Sequence, residues 1–122
     1  MSGGRRIERL NGLLQEELSR LVRTELKDPR VGVITITGVK TTTDLMHAVV
    51  YIRTLGNQTP VEEAIDGLDS AEGYLRRLLG RELHLRRIPE LRFVADRTIE
   101  HAQRIEVLLE EARAEDGSEP TD

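Results

Sequence analysis

The sequence has no cysteine and no tryptophan, and aromatic residues make up only 2% of it. The absence of cysteine excludes disulfide bonds, thiolate metal sites and a cysteine nucleophile. Because aromatic residues are scarce, Leu, Ile and Val must build the core, at about 1.5–3 kcal/mol for each fully buried side chain. Scarce aromatics also disfavour base stacking as the main mode of nucleic-acid binding.

No apolar run approaches the ~20 residues that are needed to span a bilayer. The first six residues, Met1 to Arg6, lack the apolar stretch of a signal peptide. We therefore expect a cytoplasmic protein that has no membrane partner.

Motifs of the common catalytic and metal sites are also missing from the sequence. The three histidines, His47, His84 and His101, are not spaced as a pair of metal ligands. Neither a GxxxxGK[ST] or GxGxxG phosphate loop nor a GxSxG nucleophile motif occurs. We predict a protein that has no enzymatic activity, metal or cofactor, and an enzyme of an unrecognised class is the weakest alternative.

Charge is distributed unevenly along the 122 residues, although the formal net charge is −4. Residues 110–122 hold six acids and one base, whereas residues 73–97 hold seven arginines and three acids. A local basic segment matters more to phosphate than the charge of the whole chain. The pattern fits an RNA-binding surface, and it also fits an ordinary solvated surface.

Hydrophobic periodicity predicts several helices. Apolar residues recur every three or four positions over residues 5–27, and this helix should end before Asp28-Pro29. Thr59–Glu62 has the form of a capping box and predicts a second helix to about Ser70. Ala71-Glu72-Gly73 then bends the pattern, and a further helix follows. A last helix is predicted from Asp96 or Thr98 to about Ala112.

Three segments are predicted to be strands. Val33–Thr43 and His47–Thr54 alternate and are rich in β-branched residues, so they should form an antiparallel hairpin. Leu91–Ala95 is a third, short strand. The order of elements predicts an α+β fold in which helices pack on one face of a three-stranded sheet. We expect a flexible segment at residues 1–4, one domain over residues 5–113 and a disordered acidic tail at residues 114–122.

Several short motifs, in this order and spacing, resemble the ribosome-binding factor A family. They run from about Arg5 to Leu109, and each is weak alone, whereas the combination is specific. The motifs are Lys27-Asp28-Pro29-Arg30, Asp44-Leu45, Ser70-Ala71-Glu72-Gly73-Tyr74-Leu75-Arg76, Leu78-Leu79-Gly80, Leu85-Arg86 and Ile88-Pro89-Glu90-Leu91.

The resemblance implies a KH-type fold of the second topology. In this family an Ala-x-Gly bend, here Ala71-Glu72-Gly73, stands where an ordinary KH module has a GxxG loop. The resemblance further implies a bacterial assembly factor that binds the free small ribosomal subunit and its ribosomal RNA. Such a factor aids late maturation and rRNA processing, and it uses no cofactor and performs no turnover.

The predicted RNA contacts combine backbone and side-chain groups. A helix that restarts at a bend offers N–H groups and a positive dipole end to phosphate, and arginine offers a bidentate fork. A purely structural role stays open for each group, as a solubilising helix face, a kink between packed helices, or cations at a helix end. The predicted residues are Lys27, Arg30, Ala71, Gly73, Arg76, Arg77, Arg81, Arg86, Arg87 and Arg92.

A protein-interaction module with a KH-like fold is the main alternative function. Such a module would use the hydrophobic hairpin or the acidic tail to bind a protein partner. In the preferred interpretation the chain is a monomer whose partners are the small subunit and its RNA, with the proteins of the small subunit as further candidates. The salt dependence of binding distinguishes an RNA-binding function from a protein-interaction function, because RNA binding weakens steeply as salt is added.

Overall fold

The computed structural model describes residues 2–55, 59–97 and 108–112. Within these residues the elements are α1 (Ser2–Glu25), β1 (Ile34–Thr41), β2 (His47–Thr54), α2 (Val61–Ser70), α3 (Glu72–Leu83) and β3 (Glu90–Ala95). The first helix begins three residues earlier than predicted and ends two residues earlier. Most of the predicted last helix lies outside the described residues, but residues 108–112 are helical.

The three strands form one sheet in the order β1-β2-β3. β1 and β2 pair antiparallel, as predicted for a hairpin, and β2 pairs with β3 in parallel. Parallel neighbours need a long crossover connection, and here α2 and α3 provide it. The helices therefore have to pack against the sheet that they connect.

One face of the sheet is buried beneath the helices. In the central strand β2, Ala48, Val50 and Ile52 are fully buried and alternate with residues that are only partly covered. Leu91 and Phe93 of β3 point to the same side. The predicted α+β fold, with its helices on one face of the sheet, is confirmed, and Phe93 is a core residue.

Helix α1 lies against β1 and α3. Its inward side chains Leu14 and Leu18 are fully buried. On the same helix, Asn11 Oδ1 accepts hydrogen bonds from the N–H of Thr41 at 2.9 Å and from its hydroxyl at 2.6 Å. These side-chain bonds to an edge strand fix the position of α1 along β1.

The predicted capping box at the start of α2 is wrong. Pro60, with φ −61° and ψ 143°, occupies the N-cap position, so no side chain caps this helix. Thr59 lies instead against the loop at Gly32, and the Glu62 carboxylate pairs with Arg97 at 2.8 Å. The motif fails because proline takes the cap position one residue later than the pattern requires.

No helix in the described ranges 2–55, 59–97 and 108–112 is long and apolar enough to cross a membrane. Within the same ranges, no three His, Asp or Glu side chains are grouped as a metal site would need.

Gly67 of α2 is a position where a side chain has no room. A Cβ there would lie 2.8 Å from Cγ2 of Val31, which is itself buried in the core. We expect Gly67→Ala to lower the free energy of unfolding by about 1–3 kcal/mol, because the added methyl overpacks the contact with this loop. Chemical denaturation measures the change, and a variant as stable as the wild type would contradict the described packing.

Candidate nucleic-acid interface

The predicted bend separates two helices by a single residue. Helix α2 ends at Ser70 and α3 begins at Glu72, while Ala71 has φ −95° and ψ 2°. The N–H of Ala71 donates to the carbonyl oxygens of Gly67 and Leu68, and its own carbonyl accepts from the N–H of Leu75 at 2.9 Å. Ala71 is thus both the last cap of α2 and the first cap of α3.

The first turn of α3 is open on its outer side. No side chain caps this helix, and Gly73 is exposed. A Cβ built at Gly73 meets no atom within 4 Å. Backbone N–H groups at the junction donate to the carbonyl oxygens of Gly67, Leu68 and Asp69, but the positive dipole end of α3 attracts anions and the glycine lets a phosphate approach the backbone closely. The space next to Gly73 is therefore suited to a phosphate.

The acid inside the bend is turned away from this space. The Glu72 carboxylate accepts a hydrogen bond from the N–H of Leu91 at 2.9 Å and lies 3.6 Å from Nε of Arg76. Its side chain is only 22% exposed. Because this charge is engaged by strand β3 and by an arginine, its repulsion of an anion at the helix start is reduced.

Arg76 forms a hydrogen bond with the connector between α3 and β3, residues 84–89. Its Nη2 donates to the carbonyl oxygen of Ile88 at 3.0 Å, and Cγ1 of Ile88 lies 3.8 Å from a Cβ built at Gly80. The connector therefore folds back beside α3. Arg76 has a structural role, and its contact with RNA stays a prediction.

Four arginines on and beside α3 are exposed to solvent. We call them the α3 basic surface, and no residue in the described part of the chain forms an ion pair with them. The guanidinium of Arg77 lies 5.7 Å from the ring centre of Tyr74, in cation–π geometry. The surface consists of Arg77, Arg81, Arg86 and Arg87.

The acids near this surface are paired or lie on the other helix. Glu82 of α3 pairs with Arg20 of α1 at 3.3 Å. Helix α2, in contrast, carries four acids and no base: Glu62, Glu63, Asp66 and Asp69. Partial burial raises the pKa of Asp69, and the neighbouring charges of Asp66 and Glu72 raise it further. The electrostatic field therefore favours an anion on the α3 side of the bend over the α2 side.

The loop after α1 reaches the end of α2. Nη2 of Arg30 lies 2.6 Å from Oδ2 of Asp28 and 3.2 Å from Oγ of Ser70, the residue before the bend. Hydrogen bonds from the Arg30 side chain and then from its backbone N–H lower the pKa of Asp28. Arg30 is thus next to the bend, and Lys27 is exposed in the same segment.

The structure separates Arg92 from the other predicted residues. Arg92 alternates along β3 with the buried Leu91 and Phe93, so it belongs to the opposite side of the sheet. Its positive charge still acts on Asp69 at the end of α2. The short sequence distance from Arg86 and Arg87 suggested that Arg92 belongs to one cluster with them. Because side chains alternate between the two faces of a strand, Arg92 lies on the face of the sheet opposite the helices.

Tyr74 belongs to the site but was not predicted. Its ring contacts Arg77, its hydroxyl lies 3.5 Å from Oε1 of Glu25, and it is 38% exposed. The signal in the sequence was the spacing of Tyr74 and Arg77 by three positions, which makes neighbours on a helix.

Comparison with known proteins assigns the chain to a family. The family model described as ribosome-binding factor A matches residues 6–109. A ribosome-binding factor A from Thioalkalivibrio sulfidiphilus is 44% identical over 117 residues, which cover 96% of this chain and 91% of the relative. Another from Nitrosospira multiformis is 45% identical over 111 residues, covering 91% and 88%.

Solved structures agree with this assignment. The crystal structure of ribosome-binding factor A from Thermus thermophilus is similar with a TM-score of 0.68 and 28% identity, covering 75% of this chain and 97% of the other. A homology model of the Thermus thermophilus protein has been fitted into a cryo-EM map of a complex of the 30S subunit with ribosome-binding factor A. Its TM-score with this chain is 0.60 at 29% identity, and the match covers 70% of this chain and 90% of the other. The chain therefore belongs to the ribosome-binding factor A family.

Proposed function

We propose that the chain binds the free small ribosomal subunit through its ribosomal RNA and acts as an assembly factor without catalysis. The observation that carries the proposal is the α3 basic surface next to the open N-terminus of α3. Exposed arginines that pair with no acid of residues 2–55, 59–97 and 108–112 supply phosphate contacts at little structural cost. The Thermus thermophilus relative fitted into a 30S complex supports the same partner.

In the proposed action the protein binds a late precursor of the subunit in the cytoplasm and leaves before translation. It holds the precursor RNA while maturation and rRNA processing proceed, and it does so as a monomer. The resemblance of the family motifs supports this timing. The bend offers the backbone contact, and the four arginines of the α3 basic surface, together with Lys27 and Arg30, contact the phosphates around it.

A protein partner is the second candidate, and one observation favours it. The tip of the β1–β2 hairpin exposes Leu45 and Met46, and Leu45 has φ 62°. A leucine in the left-handed region is strained, and such strain is concentrated at functional positions. Binding through this tip would depend little on salt, whereas binding through the α3 basic surface would weaken steeply.

Gly73 provides a direct test of the backbone contact. Gly73→Ala places a methyl where the protein itself has open space, so we expect a free energy of unfolding that is unchanged or about 0.5–1 kcal/mol higher. The methyl would block a phosphate at the helix start, and we expect affinity for purified small subunits to fall about tenfold, the loss of one charge-assisted hydrogen bond.

Gly80→Ala is the matched control for this experiment. It makes the same change two turns further along the same face of α3, where the added Cβ would lie 3.8 Å from Cγ1 of Ile88 in the connector. Equal affinities of the Gly73 and Gly80 variants, measured by filter binding at one salt concentration, would show that the bend does not contact RNA.

A further inference from the structure

The face of the sheet opposite the helices carries three basic side chains and one aromatic ring. Strand register places Lys40, Val49 and Arg92 side by side across the three strands. In the next row Tyr51 lies between Gly38 and Val94, and Arg53 follows Tyr51 by two residues on the same face of β2. We call this side the open sheet face.

Tyr51 is the centre of this face. The atom Cδ2 of its ring lies 4.0 Å from a Cβ built at Gly38, so the ring packs over a position that has no side chain. A depression of about 610 Å³ surrounds it and is lined in part by Thr37, Lys40 and Asp96. This volume is within the range of about 300–1,000 Å³ typical of small-ligand sites, and an aromatic ring in such a depression offers a stacking surface to a base.

The charge of the open sheet face is mainly positive. Lys40, Arg53 and Arg92 form no ion pair with any residue in ranges 2–55, 59–97 and 108–112. The acid in the depression, Asp96, accepts a hydrogen bond from the Thr37 hydroxyl at 2.6 Å. A second acid, Glu90, lies at the hairpin end and is 3.4 Å from His47. The three cations are therefore available to phosphate.

We propose that the open sheet face is a second RNA site, which binds an unpaired segment. One base stacks on Tyr51, and Lys40 and Arg53 contact the phosphates on either side of it. Aromatic side chains between cations on an open sheet are suited to single strands, whose bases are free to splay out. The inference rests on the proposed function in that RNA is the partner.

The two sites lie on opposite sides of the sheet. Helix α3 packs on the covered face, whereas Lys40, Tyr51 and Arg53 lie on the face that α1, α2 and α3 leave uncovered. One molecule would thus hold two RNA segments at once, a phosphate backbone at α3 and a single strand at the sheet. This would place an unpaired segment of an incomplete subunit at a fixed distance from the RNA bound at α3.

The test uses fluorescence anisotropy with labelled decauridylate, a short RNA that forms no duplex, and the full chain. We expect Lys40→Glu/Arg53→Glu to weaken binding by at least about tenfold, because two phosphate contacts become repulsive. Arg6→Glu/Arg9→Glu carries the same change in net charge at exposed positions of α1, which neither proposed RNA site includes, and serves as the matched control. It should weaken decauridylate binding by less than about threefold, because salt screens charges that lie outside the site. Equal losses for the two variants would overturn the proposal.

Tyr51 gives a second readout that does not depend on charge. Tyr51→Phe should retain the affinity for decauridylate, and Tyr51→Leu should lower it about tenfold through loss of stacking. Ultraviolet crosslinking of the wild type should attach uridine to the peptide that contains Tyr51, which needs no variant to fold. Crosslinks confined to α3 and its connector would overturn the second site while leaving the proposed function intact. Absence of binding to purified small subunits would instead count against the proposed function.

Discussion

Arg77→Glu/Arg81→Glu is expected to weaken binding to the free small subunit by about a hundredfold or more. Each arginine is exposed, and neither forms an ion pair with another of the described residues. Each reversal removes a charge-assisted contact that is worth about 1.5–3 kcal/mol and adds repulsion by the phosphates. The melting temperature should stay close to that of the wild type. Among the described residues, the contact that the double variant removes is the cation–π contact of Arg77 with Tyr74.

The control for this variant is Arg6→Glu/Arg9→Glu. It changes the net charge by the same amount on exposed positions near the start of α1. Both positions line a groove with Leu85 of the connector, whereas α1 meets the segment that holds Tyr74 and Glu82 further along, where Arg20 pairs with Glu82 and Glu25 accepts from Tyr74. Binding is measured by titration of purified subunits at fixed salt. Losses of the same size in both variants would mean that overall charge, not the α3 basic surface, determines binding.

Leu75→Ala is expected to cause the largest loss of stability among the substitutions near the site. Leu75 is fully buried on the inward side of α3, one helical turn after Ala71. Truncating a buried leucine lowers the free energy of unfolding by about 2–5 kcal/mol, through lost transfer free energy and the cavity that remains. A domain of this size has only about 5–15 kcal/mol in total. Urea denaturation followed by circular dichroism measures the change.

Leu78→Ala on the same helix distinguishes burial from a general effect of leucine removal. Leu78 is only partly buried at the edge of the core, so Leu78→Ala should lower the free energy of unfolding clearly less than Leu75→Ala does. The molecules of Leu75→Ala that remain folded should bind subunits as the wild type does, because Leu75 does not face the RNA. Equal destabilisation by the two alanines would contradict the described orientation of α3.

Local pattern was sufficient to predict the three strands and the buried face of β2. The alternation of His47–Thr54 predicts the bounds of β2, because in a strand with one buried face every second residue has to be apolar. The parallel pairing of β2 with β3 was not predicted. It depends on how the helices α2 and α3 return the chain, which no local alternation encodes.

The site was less predictable than the fold. Helical spacing distinguishes Arg77 and Arg81 from the inward leucines, but it does not show that Arg76 donates to the carbonyl of Ile88. Glu72 raises the same difficulty, since its partner is the backbone N–H of Leu91 in a distant strand. Long polar side chains bond to partners that are distant in sequence and become neighbours only in the tertiary structure. The contacts of the ten predicted residues with RNA stay predictions.

Salt dependence of binding to purified small subunits tests the central claim most directly. The wild type and Arg77→Glu/Arg81→Glu are titrated between about 50 and 200 mM salt, a range over which a protein with several phosphate contacts loses several powers of ten in affinity. We predict a steep linear fall of log affinity with log salt for the wild type, and a slope smaller by about two for the variant. Binding of the wild type that does not change with salt, or no binding at the lowest salt, would contradict recognition of ribosomal RNA through the α3 basic surface.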